Sequence, residues 1–275
     1  MVWYPNKRFF FLPVLGLFFF ISCKKEEGTP RITIRQQPSK IAVFTIDTST
    51  GAPSLQYEIK YFYNDSIRRF DSIDIAGAMY RFNYSKFSSE KKMLLNYRDS
   101  LNEFASINFD VNFYSMSSYQ ELQNNSTVLK TYSLQYDSYK KITGFGLVSN
   151  TSSENYTKTF TVKNDTTFIR TLKPASTCDN TDTLINTFVD MGTNLPYLLF
   201  FDITKDCSAL ENNILKALPV SNYINKLPFK ITNANFISSF NYYGDAELRL
   251  KDALITVRER STNKIHQVIK LSFTY

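Results

Sequence analysis

The chain has 275 residues, 43% of them apolar, and a formal net charge of +7. That much apolar residue excludes a disordered chain, and basic residues that never run denser than Lys-Lys, Lys-Arg or Arg-Arg pairs exclude a nucleic-acid stripe. With 18 Tyr and 24 Phe against 8 Gly, the composition is that of pleated, half-wet surfaces.

The N-terminus reads as a targeting segment. Lys7 and Arg8 precede an apolar run from Phe9 to Ile21, broken at Pro13 and Gly16. The run is shorter than the roughly 20 residues a spanning helix needs, so residues 1–22 are expected to be a signal peptide. Ser22-Cys23 after that run resembles the bacterial lipobox, which implies that Cys23 is the lipidated N-terminus of the mature protein. Two or more acyl chains on one Cys hold a protein stably to a membrane without a spanning helix. "CKKEE" (Cys23 to Glu27) is similar to the export signal that sends Bacteroidetes lipoproteins to the outer face of the outer membrane. Losing Lys7 and Arg8 with the signal lowers the charge to +5. Residues 23–40, with charges and two prolines, read as a lipidated Cys and tether. A single β domain is expected from 41 to 275.

The next signal is a repeat. "YFYNDSIRRFDSI" (Tyr61 to Ile73) and "LNYRDSLNEFASI" (Leu95 to Ile107) share Tyr, Asp-Ser-aliphatic, Phe and Ser-Ile at the same spacing. Tyr57, Ile59, Tyr61 and Tyr63 alternate with Glu58 and Lys60, the period of a strand with one face buried. Asn64-Asp65-Ser66 supplies turn chemistry, and Ile67 to Ile75 alternates as the returning strand. Looser copies stand at Leu134 to Phe145 and Phe240 to Val257. Stacked hairpins build one continuous apolar face. The fold class expected is mainly β: a large curled antiparallel sheet of repeated hairpins, with one or two short helices. "SSEKKMLLNYRDSLNEF" (Ser88 to Phe104) partly fits helical spacing, but its alignment with residues 61–73 favours strand. Leu210, Ile214, Leu215 and Leu218 predict a helix ending before Pro219.

These Tyr-x-Tyr-Asp hairpins resemble those of YD-repeat proteins and of a group of Bacteroidetes surface lipoproteins. In the latter an aliphatic segment precedes a short helix, a Leu-Pro-x-Lys-Ile-Thr stretch and a last Tyr-rich hairpin. Here "NLPYLLFF" (Asn194 to Phe201), "KLPFKIT" (Lys226 to Thr232), "FNYYGDAELRL" (Phe240 to Leu250) and "KLSFTY" (Lys270 to Tyr275) follow in that order. The resemblance implies a porin-like half-barrel or open barrel, and no activity.

Little points to chemistry. His266 is the only histidine and falls in an alternating strand pattern; Asp245 with Glu247, and Asp71 with Asp74, suit turns and edges better than a catalytic pair. No stretch has the spacing of a calcium loop or a phosphate loop, Gly144-Phe145-Gly146 standing alone. No metal, cofactor or enzymatic activity is expected. Cys178 and Cys207 suit a disulfide worth about 3 kcal/mol in an oxidising compartment, or two thiols in a reducing one. The Asp-[Ser/Thr]-aliphatic triplets resemble the acceptor of Bacteroidetes O-glycosylation, which nominates Ser66, Ser72, Ser100, Thr166 and Thr183. Tyr114, Tyr119, Tyr242 and Tyr243 are candidate surface aromatics, since consecutive aromatics cannot both face a core.

The function expected is that of a non-enzymatic, lipid-anchored protein facing the cell exterior from the outer membrane, with an extracellular glycan or an envelope protein as partner. The alternative is a carrier holding an apolar ligand inside an unclosed barrel, with Leu195 to Leu218 as its lid.

Overall fold

Burying one side of an alternating segment fixes both a strand and its register. In Tyr57–Tyr63 the tyrosines and Ile59 turn inward, while Lys60 and Phe62 stay exposed. The computed structural model describes residues 38–275 apart from 65–68, 98–101, 111–115, 139–141, 152–154, 164–165, 173–178, 191–212, 219–225 and 248. There the segment lies in β2 (Pro53–Asn64), one of sixteen strands among the described residues. The others are β1 (Lys40–Ile46), β3 (Arg69–Ile75), β4 (Ala78–Asn83), β5 (Lys92–Tyr97), β6 (Glu103–Phe109), β7 (Met116–Gln123), β8 (Thr127–Tyr136), β9 (Ile142–Ser149), β10 (Tyr156–Lys163), β11 (Thr166–Leu172), β12 (Asp179–Asp190), β13 (Lys226–Thr232), β14 (Phe236–Gly244), β15 (Leu250–Glu259) and β16 (Ile265–Thr274). Two short helices, α1 (Phe87–Glu90) and α2 (Asn213–Ala217), interrupt them. The stretch open to either reading is mostly strand, since α1 takes only its first turn before β5.

Consecutive strands pair antiparallel throughout, and β1 also pairs β16, from Lys40 opposite Thr274 to Ile46 opposite Val268. The curled sheet of hairpins is therefore carried one pairing beyond the half-barrel or open barrel expected, to a closed ring. Closure removes the two rows of unpaired backbone groups that an open sheet exposes. The ring is thinnest at β13–β14, with three paired positions, and the register between β12 and β13 shifts twice.

Strand parity sorts everything else. Odd strands run toward one rim and even strands back, so one rim (rim B) carries the β1–β2, β3–β4 and later odd-to-even turns. The other (rim A) carries the even-to-odd connections and both ends of the barrel's chain. The two sequence copies consequently point opposite ways: the β2–β3 connection lies at rim A and the β5–β6 connection at rim B, three antiparallel strands away. Their bulges differ as well. In the first copy Tyr63 sits opposite Phe70, passing over Asp71, and the rings lie 4.9 Å apart. In the second the pairing passes over Phe104 itself, and Phe104 and its repeat partner Tyr97 are 37% and 39% exposed.

The Tyr pattern has a second meaning that only the pairings display. At rim A the Tyr near the end of an even strand donates its hydroxyl to a carbonyl at the start of the preceding strand. Tyr84 donates to Phe70 O (2.9 Å), Tyr136 to Met116 O (2.7 Å), Tyr242 to Pro228 O (2.6 Å) and Tyr275 to Leu250 O (3.1 Å). Tyr63 reaches Pro38 O, just ahead of β1, at 3.1 Å. Each tie closes the open end of a hairpin whose turn is at rim B, so the repeated unit is that hairpin rather than the one the sequence alignment delimits. Burial raises the Tyr63 and Tyr136 hydroxyls above their ordinary range and keeps them protonated donors.

Among the described residues the core lies inside the ring. Ile41, Ile59, Ile73, Leu95, Ile107, Tyr119, Phe240 and Ile255 are essentially inaccessible, and Ile214, Leu215, Ala217 and Leu218 of the α2 segment belong to the same apolar cluster. Helix α2 lies on the β12–β13 connection at rim A, yet its Ala217 carbonyl accepts the buried Tyr61 hydroxyl of β2 at 2.8 Å. Between β2 and β13 stand β1, β16, β15 and β14, so α2 packs inside the ring and ties its own connection to a strand five places away. The Tyr61 bond satisfies a carbonyl that a helix end otherwise leaves orphaned. The expected helix thus forms over Asn213–Ala217, its earlier residues lying outside those described. Ser238, buried opposite Ile231 and Val257, has a hydroxyl without a hydrogen-bond partner. Ser238→Ala is expected to be neutral or stabilising by up to about 1 kcal/mol in a thermal melt, because it removes an unpaired polar group from the core.

Candidate functional site

A barrel meets its surroundings through its outer wall, its lumen and its rims. The outer wall carries charge. Glu58 bridges Lys40 and Lys60 at 3.3 Å each, and those two lysines face one another across β1–β2. The flanking ammonium groups hold the Glu58 carboxyl below its ordinary value. Asp252 accepts from Lys270 at 3.2 Å and from the Ser272 hydroxyl at 2.6 Å. Membrane-spanning barrels present an apolar band outward and a polar lumen inward. Here apolar residues lie inside, and on the exposed side Arg81, Asn83, Ser133, Gln135 and Asn241 join the charged pairs, with apolar side chains such as Phe62, Val148 and Phe229 among them. Among the described residues no helix is long and apolar enough to cross a membrane.

Among the described residues, the turns of rim B at β1–β2, β3–β4, β7–β8 and β15–β16 are tight and polar, and their tips use positive φ at Gly51, Gly77, Asn124, Asn125 and Asn263. In the first of these, Asp47 Oδ1 accepts from the Ser49 hydroxyl (2.5 Å), Ser49 N (2.8 Å) and Thr50 N (2.9 Å). Those bonds, the Ser49 hydroxyl foremost, lower the Asp47 pKa from 3.8 to about 2. A depressed folded-state pKa stabilises the fold above the unfolded value, and that contribution is lost as pH falls through about 2. The Asp47 carboxyl is accordingly expected to titrate near pH 2 by NMR, and a midpoint near 3.8 would show the turn unformed. Rim B also holds a partly exposed aromatic cluster: Tyr80 lies 5.6 Å from Tyr97 and 5.8 Å from Phe104.

The nominated residues scatter. Tyr119 is corrected: it is 0% exposed, packed against Tyr132 at 5.8 Å, and is a core residue rather than a surface aromatic. Its neighbour Ser117 is the extra residue of a bulge opposite Asn108–Phe109, which moves Met116 and Tyr119, three apart, onto the same buried side. Tyr242 turns inward and stacks on Phe240, while Tyr243 is 52% exposed, as consecutive aromatics on one strand require. Ser72 is buried, with its hydroxyl 3.2 Å from Asp71 Oδ2, so in the folded barrel it has no room for a sugar. Thr166 is half-buried at the start of β11, and Thr183 pairs through its backbone with Phe168 and Thr232. Cys23, Ser66, Ser100, Tyr114, Cys178 and Cys207 lie outside the described residues. The Tyr80–Tyr97–Phe104 cluster escaped sequence reasoning, because Tyr97 and Phe104 align with Tyr63 and Phe70, which are covered.

The acidic pairs serve turns. Burial alone would raise the Asp245 pKa, but it is held low by Arg249, whose N–H (2.9 Å) and Nε (2.7 Å) both donate to it, and by Glu247 N (2.9 Å). Arg249 in turn lies 4.7 Å from the centre of the Tyr275 ring. Asp74 accepts from Gly77 N across the β3–β4 turn at 2.8 Å. His266 is exposed on β16, 4.9 Å from the Phe236 ring. Gly144 and Gly146 lie within β9 around a buried Phe145. Among the described residues no three His, Cys, Asp or Glu side chains group as metal ligands would.

These features define a closed antiparallel barrel with an apolar interior that α2 joins and a wall that carries ion pairs. It resembles known structures in fold. A porin-like protein from Bacteroides uniformis ATCC 8492 superposes with a TM-score of 0.63 at 11% identity, over 86% of this chain and 97% of that one. A second porin-like protein, from Bacteroides vulgatus ATCC 8482, matches at 10% identity with a TM-score of 0.49, over 87% of this chain and 99% of that one. No family model matches the chain, and no curated protein does. The porin-like β fold implied by the sequence resemblance is the fold present; the likeness is one of architecture.

Proposed function

We propose that this chain is a non-enzymatic lipoprotein of the outer membrane, facing the cell exterior, with a binding or structural role at the envelope. The observation that carries the reading is the charged outer wall around an apolar core. A barrel built this way is stable in water and pays heavily to enter hydrocarbon, so its attachment to a membrane falls to lipid on Cys23. Porin-like neighbours from Bacteroides fit an envelope setting. The acids engaged in turns and the exposed His266 support a role in binding rather than catalysis, and an extracellular glycan or an envelope protein is the partner class. The carrier reading is disfavoured, because Ile214, Leu215 and Leu218 occupy the core that an apolar ligand would need.

Protease shaving of intact native cells, with lysed cells as control, tests the reading. The protein is expected to be lost from intact cells and to pellet with their membranes until then. Protection until lysis would move it to the periplasm and defeat the surface assignment.

A further inference from the structure

The even strand count fixes which end of the barrel the chain enters. Ser39 N donates to Thr274 O at 2.7 Å, Lys40 opens β1 opposite Thr274, and Tyr275 closes the chain beside Leu250, all at rim A. Cys23 is separated from Pro38 by 14 residues, Lys24 to Gln37. That length spans at most about 50 Å when fully drawn out. A ten-residue strand such as β15 or β16 rises about 33 Å along its own axis, less when tilted.

Given a lipid on Cys23, we infer that rim A rests against the lipid headgroups and rim B is the face presented to partners. This rests on the anchor proposed above and goes beyond it by giving the barrel a direction. With rim A down, the connecting residues need only bridge the headgroup layer. With rim B down, they must run most of the height of the wall in a drawn-out state, at a conformational entropy cost the first arrangement does not carry. Lying on its side would press the ion pairs of Glu58, Lys40, Lys60, Asp252 and Lys270 into the membrane boundary, where charges lose hydration.

The consequence concerns recognition. Rim B carries the half-exposed Tyr80–Tyr97–Phe104 cluster, whose rings can stack on an apolar or sugar face, and the hydrogen-bonded turns at Asp47 and Asp74. Rim A carries the tyrosine ties and the connection that holds α2, on the side turned to the bilayer.

Lysine footprinting of the lipidated protein bound to neutral phosphatidylcholine vesicles distinguishes the arrangements without altering the barrel. Lys251 stands exposed beside rim A and Lys264 exposed in the β15–β16 turn of rim B. Unlipidated Cys23→Ala protein in the same buffer is the reference. Acylation of Lys251 is expected to slow several-fold on the vesicles while that of Lys264 stays unchanged. Equal protection at both, or protection of Lys264 alone, would overturn the orientation and leave the anchor standing. Flotation with the vesicles is checked before footprinting, and failure of the wild-type protein to float would overturn the anchor, and the orientation with it.

Discussion

Shortening Leu215 to alanine is expected to destabilise the barrel by about 2–5 kcal/mol, the range for deleting a buried leucine whose surroundings cannot fully collapse. Leu215 is fully inaccessible in α2, where the lumen meets side chains from several strands at once. The strands around it are locked in a closed hydrogen-bonded ring and cannot move inward to fill the space, so the upper half of the range applies. Urea unfolding is the measurement: the midpoint should fall with the slope unchanged, since the surface exposed on unfolding is nearly the same. A loss under about 0.5 kcal/mol, typical of surface substitutions, would mean that α2 is not docked in the lumen in solution.

Removing three of the tyrosine ties together should have an effect of similar size. Tyr63→Phe, Tyr136→Phe and Tyr242→Phe keep the rings and delete hydroxyls that donate to Pro38, Met116 and Pro228 carbonyls. A hydrogen bond of this kind is worth about 1 kcal/mol net. The three sites lie on β2, β8 and β14, well apart around the ring, so their costs should add to about 3 kcal/mol. For a domain of this size that is a fall of about 6–12 °C in Tm. Single variants each shifting Tm by a third of the total would confirm additivity. A triple variant melting with the wild type would show that water replaces the hydroxyls and that the ties contribute nothing to stability.

The alternation in Tyr57–Tyr63 was enough to read β2, its buried face and the hairpin logic, because period two is a local property of a half-buried strand. The split of Tyr242 and Tyr243 between inside and outside follows from the same rule. Closure was not legible: β1 and β16 meet across more than 200 residues, and neither KIAVFTI nor IHQVIKLSFT marks the other as its neighbour. Bulges hid more. The insertion at Ser117 puts Tyr119 in the core, and the one-residue difference between the bulges at Phe62–Tyr63 and Leu95–Asn96 separates a covered aromatic pair from an exposed one. A bulge has no fixed signature in side chains, so motif alignment passes over it. The tyrosine ties were half visible: the recurring Tyr is plain in the sequence, while its acceptor is a backbone carbonyl, which every residue has. For the candidate site, Tyr97 and Phe104 were present in the repeat but indistinguishable from their buried counterparts.

The pairing of the first strand with the last also bears on how such a barrel can change. A closed antiparallel ring accepts new strands only in twos, since adding one would force a parallel neighbour at the seam. Growth or loss by whole hairpins leaves the two ends of the barrel side by side, where Ser39 meets Thr274. The same adjacency lets a short peptide join them and a new start be cut elsewhere. The turn at Gly51, with nothing within 4 Å of the position a Cβ would take, is the natural place to open such a circular permutant.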